Sequence, residues 1–264
     1  MGSATREALT ASRAALSATS GVTLAVAEEL FSAGRVIGSS AQLRAILADP
    51  STPATDKQAL IDSIFGTRLG AKSKKVLDVA VTQRWSNQGD LLSGIEELGL
   101  RAAATSAPAS TSIVGELFEF GTAVRSDPEL ELAISSKRGD DAAKLALVDA
   151  LLAKKVSAQT LAIVEQLVLQ PRGRRIGELL SSAAAVVADQ SSLAIATVTS
   201  AAPIAAAQLK RLEKGLASTY GREITINLIV DPGIIGGLRV QVGDDVIDGT
   251  VSRKLSDLRL QLAG

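Results

Sequence analysis

The sequence predicts an α+β fold that is mainly α: two related helical bundle units followed by a small α+β C-terminal domain. Apolar residues recur every three or four positions through most of the first part of the chain, as on one face of a helix. A set of residues then recurs 87 positions later, and from about Ser191 the apolar spacing falls to two, which is typical of strands. These features predict units at 1–105, 113–190 and 191–264, the second repeating about 26–104.

The first unit is predicted to begin with a helix over residues 5–19. A second helix ends near Gly34–Gly38 and carries apolar residues at intervals of four: Val22, Val26 and Leu30. A short apolar turn around Leu43 precedes a break over 49–53, which contains two prolines.

The remaining helices of this unit are predicted from their starts and stops. Thr55–Gln58 fits a capping box that opens a helix, and Gly66 can end it. Two more helices fit 72–85 and 89–104. The following segment, 105–112, has no apolar periodicity and is predicted to be a linker.

The repeat is visible residue by residue. Glu29-Leu30-Phe31 recurs as Glu116-Leu117-Phe118, and the same offset aligns further pairs: Gly34 with Gly121, Lys57 with Lys144, Leu60 with Leu147, and Gln83 with Gln170. Identities kept over such a length without a gap indicate a duplicated helical unit, too few copies for a solenoid. The copies differ where Trp85 becomes Arg172.

The C-terminal part alternates like a small sheet with helices. Strands are predicted around 193–199, 224–230 and 238–242, with a helix from Pro203 to about Thr219. The final helix carries one narrow apolar stripe at intervals of four, three and four residues, suited to a packing partner: Val251, Leu255, Leu258 and Leu262.

Composition excludes several kinds of chemistry. The chain has no cysteine, which excludes disulfides and thiolate catalysis, and no histidine, the commonest general base and transition-metal ligand. Lys+Arg and Asp+Glu both number 28 and aromatic residues make up 2%, so a nucleic-acid surface is not expected. No stretch is apolar enough to predict a membrane span. The N-terminus weakly resembles a transit peptide but is better interpreted as an amphipathic helix.

One segment nearly matches a phosphate-binding loop. Gly66–Ser73 departs from the pattern at Ala71, where the motif needs glycine, and the preceding segment is predicted to be a helix instead of a strand. A helix–helix connection is the favoured interpretation, and a nucleotide-using enzyme built on this loop is the rival hypothesis.

Two charged clusters have simpler explanations than a site. Arg172–Arg175 is interpreted as a solvated loop or a contact with an acidic partner. Asp244, Asp245 and Asp248 lack the spacing of a calcium loop, and Asp248 is expected to cap the last helix. The residues therefore predict no catalytic residue, no cofactor and no metal site.

Two runs near the C-terminus carry a family resemblance. They are the segments 230–243 (VDPGIIGGLRVQVG) and 246–251 (VIDGTV), which resemble the delta subunit of F-type ATP synthases, called the oligomycin-sensitivity-conferring protein in mitochondria. The family-motif residues are Asp231, Gly236, Gly237, Gly243, Asp248, Gly249 and Thr250, where Thr250 stands in place of the usual serine.

The resemblance implies a non-catalytic subunit of the peripheral stalk, or stator. Its partners would be the N-terminal segments of the alpha subunits and the C-terminal region of the membrane-anchored b subunit. It would lie peripherally on the cytoplasmic face of the bacterial cell membrane, held there only through the complex. A regulatory adaptor unrelated to the synthase is a third hypothesis.

Candidate binding residues follow from the resemblance. In the family the alpha segment lies against the first and fifth bundle helices, whose apolar positions here are Leu9, Val76 and Val79. Core packing is the alternative role for each. The stripe Val251, Leu255, Leu258 and Leu262 is the candidate for b, and the duplication leaves open which helical copy binds alpha.

Overall fold

The structure is a computed structural model that describes residues 2–135, 140–253 and 255. It confirms the predicted mainly helical α+β class: helices precede a four-stranded sheet. The helices are α1 (Ser3–Ser17), α2 (Leu24–Ser39), α3 (Ala41–Ala48), α4 (Ala54–Phe65), α5 (Ala71–Thr82), α6 (Gln88–Ser106), α7 (Ile113–Ser126), α8 (Pro128–Ser135), α9 (Asp141–Leu152), α10 (Ala158–Leu169), α11 (Ile176–Gln190) and α12 (Ala206–Tyr220). The strands are β1 (Ala194–Ser200), β2 (Ile224–Val230), β3 (Leu238–Val242) and β4 (Asp245–Asp248).

The duplication is present in the helices themselves. Shifting α3, α4 and α5 by 87 positions gives the bounds of α8, α9 and α10, and α2 and α6 correspond in the same way to α7 and α11. The packing repeats too, since α2 lies on α6 and α4 on α5, as α7 lies on α11 and α9 on α10.

A polar contact is repeated at the same offset. Glu29 Oε2 accepts a hydrogen bond from the backbone N–H of Gly70, 2.8 Å away, just before α5 begins. Glu116 accepts from the backbone N–H of Ser157 at 3.1 Å, just before α10 begins. Both carboxylates thus bind an N–H at the start of a helix, where the backbone donors have no partner within the helix.

Helix α6 belongs to both copies. Shifted by 87 positions, α1 falls on residues 90–104, which lie within α6. Helix α1 packs against α5 and α6, and α6 packs in the same way against α10 and α11. The molecule therefore contains two overlapping bundles, α1–α6 and α6–α11. One continuous hydrophobic core runs through both, from Ala8 to Ala188.

Ion pairs join three helices around α6. Glu97 Oε1 accepts from Arg13 Nε on α1 and from Arg101 Nε on α6 itself, both at 2.7 Å. Arg101 Nη2 reaches Asp189 Oδ2 on α11 at 2.6 Å. Arg101 is 6% exposed, so these contacts also satisfy a guanidinium that burial would otherwise leave without partners.

The C-terminal part has its own core. The sheet order is β2-β1-β3-β4, with β1 parallel to β2 and antiparallel to β3. One face of the sheet packs against α12, through a cluster that includes Ala196, Val198 and Leu216. Helix α7 touches β2 and α11 touches β1, which places the sheet against the second bundle.

Four local predictions were wrong. Helix α12 begins at Ala206, so Pro203 lies before the helix and not in its first turn. The apolar turn around Leu43 is helix α3. Thr55 does not cap α4, because Pro53 is the residue that precedes the helix and the Thr55 hydroxyl turns to Asp56 Oδ1. Near the C-terminus Thr250, not Asp248, accepts the N–H of Arg253, while Asp248 Oδ1 accepts the N–H of Thr250.

Candidate interaction surfaces

The loop that resembles a phosphate-binding motif is held by the rest of the bundle. Glu29 takes the backbone N–H of Gly70, and Lys72 Nζ donates to the carbonyl of Gly21 at 2.6 Å. Ser73 is fully buried in α5. The Gly70 N–H and the Lys72 ammonium thus already bind protein, and the segment connects α4 to α5.

Across the described residues there is no group of three acidic side chains arranged to hold a metal ion. Within the same part of the chain, no helix has the length and apolarity needed to cross a bilayer.

The basic cluster at 172–175 binds a buried acidic residue of the same chain. Arg172 Nη2 and Arg174 Nη2 both donate to the carboxylate of Glu96, at 2.8 Å and 2.9 Å, and Glu96 is 7% exposed. Arg172 occupies the place of Trp85 in the first bundle, where the indole packs on Gly94 and donates to the Ala80 carbonyl. The arginine that replaces tryptophan in the second copy thus forms an ion pair between α6 and the loop that joins α10 to α11.

The three candidates on the first and fifth helices have different surroundings. Leu9 and Val76 are buried, so both contribute to the core of the first bundle. Val79 is partly exposed on α5, as is Gln83, which directly follows the end of that helix. The role proposed for these residues in partner binding stays a prediction.

A stripe of small residues on α1 was missed by the sequence reasoning. Ala4, Ala8, Ala11 and Ala15 recur at intervals of four, three and four, which places them on one side of the helix. Ala8 is buried, whereas Ala4, Ala11 and Ala15 are partly exposed. The spacing of four, three and four is a signal for this alanine stripe, but alanine is so frequent in the chain that the pattern does not stand out from larger apolar residues such as Leu9.

The two motif runs near the C-terminus are in contact. The N–H of Gly249 donates to the Leu238 carbonyl at 2.9 Å, and the N–H of Val251 donates to the Gly236 carbonyl at 3.0 Å. A Cβ on Gly237 would collide with the backbone of Gly249 and Thr250, and Gly237 has φ +85°. The glycine pair therefore lets the start of the last helix lie directly against the beginning of β3.

The other motif residues shape the turns of the same junction. Asp231 Oδ1 accepts the N–H of Gly233 at 2.8 Å, and the N–H of Asp231 donates to the Ser200 carbonyl. Gly243 has φ +59° in the turn between β3 and β4, a backbone conformation that glycine adopts without steric cost. Hydrogen bonding to Thr250, through its side chain and its backbone, lowers the pKa of Asp248.

Exposed apolar side chains surround this junction. Ile235 is 78% exposed, and half-exposed apolar residues follow in β4 and in the last described helical residues: Val246, Ile247, Val251 and Leu255. Val251 and Leu255 were predicted to bind b, and the structure places both on the surface. Leu258 and Leu262 lie outside the described residues.

The family described as "ATP synthase delta (OSCP) subunit" matches residues 99–262. A protein of Leifsonia xyli subsp. xyli named "ATP synthase subunit delta" is 53% identical over all of both chains. Proteins of the same name from Streptomyces avermitilis and Streptomyces griseus are 36% and 37% identical, over 98% and 100% of both chains.

The family match begins within α6. It therefore covers the second bundle from the middle of its first helix, together with the C-terminal sheet. The full-length relatives also cover α1–α5, so their similarity extends over both bundles.

Proposed function

The chain belongs to the ATP synthase delta (OSCP) subunit family, and from that membership we propose that it is a non-catalytic stator subunit of the proton-translocating F-type ATP synthase. It links the catalytic alpha/beta head to the membrane-anchored b subunit. Rotation of the rotor then drives ATP synthesis and proton transport instead of turning the head.

The open side of the first bundle supports binding of the head. Helix α1 presents the alanine stripe and α5 presents Val79, so a largely apolar surface stays partly exposed where the two helices meet. An amphipathic helix can bury its apolar side in such a surface, a common mode of peptide recognition. In the proposal the N-terminal segment of one alpha subunit occupies it.

The C-terminal junction supports binding of b. Exposed apolar residues are uncommon in such density on a free surface, and here they gather around one structural feature. Val251 and Leu255 follow the motif residues, and backbone hydrogen bonds tie Gly249 to Leu238 and Val251 to Gly236. In the proposal the last helix and the neighbouring β4 contact the C-terminal region of b.

The proposed role needs binding and rigidity but no chemistry. The subunit would lie peripherally on the cytoplasmic face of the bacterial cell membrane and reach the membrane through b. No cofactor and no nucleic acid take part in the proposed function.

A bridging assay tests the proposal. The soluble part of b is immobilised, the full chain is added, and a labelled peptide of the alpha-subunit N-terminus is offered last. We expect label to be retained only when the chain is present. Ala15→Asp should release the peptide while b stays bound, and Leu255→Asp should release the chain from b.

Matched controls are available on the same elements. Ser17 and Ser252 are exposed neighbours that do not belong to the proposed surfaces, so Ser17→Asp and Ser252→Asp should leave both contacts intact. Failure of the unmodified chain to bind either b or the peptide would contradict the proposed function.

A further inference from the structure

We infer that the second bundle contains a closed copy of the alpha-binding groove, which α2 fills, and that the pose of α2 predicts how a partner helix lies in the open copy. The inference rests on the proposed function. It assigns one partner helix to each chain, places it between α1 and α5, and gives its direction.

The duplication defines which residues correspond. Because α6 stands in the second bundle where α1 stands in the first, the alanine stripe corresponds to residues of α6: Leu91, Ile95, Leu98 and Ala102. Val76, Val79 and Gln83 correspond in the same way to Ile163, Gln166 and Gln170. The family match begins within α6, so the family's first and fifth helices correspond here to α6 and α10.

In the second bundle this groove is covered by α2. Helix α2 packs along α6 and touches α10. Arg35 of α2 donates to Gln166 Oε1, and Gln170 Nε2 donates to the Gly34 carbonyl at 3.0 Å. Gly34 also approaches Ile95 closely. A helix of this chain thus already occupies the position that a partner helix would take on α6 and α10.

Several groove residues are more buried in the second bundle than their counterparts in the first bundle, as expected if only the second groove is covered by a helix. In the closed copy Leu91, Ile95 and Leu98 are each fully buried, and even the polar Gln166 is 1% exposed. At the corresponding positions of the first bundle the apolar Val79 and the alanines Ala4 and Ala11 are partly exposed. Gln166 is buried where the first bundle leaves the corresponding valine partly exposed, which reverses the usual preference and indicates that the first copy lacks its covering helix.

The direction of α2 follows from its contacts along α6. Phe31 lies over Gly99, Gly34 approaches Ile95, and Gly38 approaches Leu92, so α2 runs antiparallel to α6. Transferred to the first bundle, the partner helix runs antiparallel to α1. Its N-terminal end then lies near Ala18, and its C-terminal end lies near Ser3.

The side chains of the partner can also be inferred. In the closed copy Ile95 and Leu92 of α6 meet Gly34 and Gly38 of α2, and Phe31 of α2 meets Gly99 of α6. Where α6 has Leu91, Ile95 and Leu98, α1 has alanines. Since close packing requires large residues to face small ones, the partner helix should carry bulky apolar side chains on the face toward α1. Its opposite face remains in solvent and should be polar.

Stoichiometry is tested by calorimetry on the full chain with the alpha-subunit N-terminal peptide. We expect one peptide per chain for the unmodified protein and for Ser17→Asp. Ala15→Asp, which places a carboxylate in the open groove, should reduce affinity at least tenfold, with circular dichroism showing unchanged helix content. A second peptide, or full binding to Ala15→Asp, would overturn the inference.

The direction of the bound helix is tested with spin labels, which can be placed at single sites because the chain has no cysteine of its own. One cysteine is introduced at Ala18 or at Ser3, and the peptide carries a nitroxide at its N-terminal end. Helix α1 is about 20 Å long at 1.5 Å per residue, so the two label positions are easily distinguished. We expect the short distance to Ala18, and a short distance to Ser3 would overturn the inference.

The two proposals fail differently. Binding with the opposite polarity, or of two peptides, contradicts the closed-copy inference and leaves the stator role standing. Absence of binding to every form of the chain contradicts the stator role and the inference with it.

Discussion

Single glycines near the C-terminus fix the geometry of the proposed b surface. Gly237→Ala should destabilise the C-terminal part, because φ +85° costs about 1–2 kcal/mol for a residue with a Cβ and because that Cβ meets the Gly249 backbone. Gly243→Ala has the same conformational cost but open space around the Cβ. The melting temperature should therefore fall further for Gly237→Ala than for Gly243→Ala. Equal decreases would contradict the close contact between Gly237 and the Gly249 backbone.

Arg101 should be the most important residue of the ion pairs around α6. Arg101→Ala removes the contacts of a buried guanidinium with Glu97 and Asp189, while Glu97 keeps its ion pair with Arg13, so it should cost about 1.5–3 kcal/mol. Asp189 is 66% exposed, so Asp189→Ala should cost under about 1 kcal/mol. Denaturant titration of the two variants measures the difference, and similar losses would contradict this assignment.

Glu165 on α10 should make stability depend on pH. Burial, helped by the nearby charges of Asp149 and Glu28 and opposed by Arg35, raises the pKa of Glu165. A carboxyl whose folded pKa is raised destabilises the fold when it is ionised, and this cost disappears as the pH falls through the folded pKa and below the unfolded value. Glu165→Gln should therefore be more stable than the unmodified chain at neutral pH, with the difference shrinking toward acid pH in melting curves. A difference that grows on acidification would contradict this.

At the scale of helices, the two repeated carboxylates offer a matched comparison. Glu116 binds the N–H and hydroxyl of Ser157 and the hydroxyl of Thr160, whereas Glu29 binds the single N–H of Gly70. Hydrogen bonds to charged groups contribute about 1.5–3 kcal/mol. Glu116→Ala should thus lower the free energy of unfolding by about 2 kcal/mol more than Glu29→Ala, measured by urea titration. A larger loss for Glu29→Ala than for Glu116→Ala would contradict this prediction.

Most helices and strands could be predicted from the sequence, because periodicity and glycine stops are local signals. The end of α4 at Gly66 and the break after α3 illustrate this. The capping box failed because Pro53 starts the helix earlier than the Thr55 pattern implied.

The shared helix and the filled groove could not be predicted in this way. Leu91, Ile95 and Leu98 on α6 have alanines as their counterparts on α1. Because these residues are not identical, a search for repeated residues does not reveal that the two helices correspond. The contact of Gln170 with Gly34 joins residues far apart in the chain, and nothing local to either residue indicates it.

At the scale of the whole molecule, the division into 1–105 and 113–190 remains a prediction, while the packing of α6 makes the two units share a helix. This overlap gives the bundles one continuous core. In the proposed stator role this continuity helps to transmit torque, because α6 belongs to both bundles.

The most direct test of the account is ATP-driven proton pumping in membranes depleted of the native delta subunit. We expect the unmodified chain and Ser17→Asp to restore pumping, and Ala15→Asp to leave ATP hydrolysis active but uncoupled from pumping. Restoration of pumping by Ala15→Asp equal to that by the unmodified chain, or no restoration by either, would contradict the claim that the α1–α5 groove holds the head to the stator.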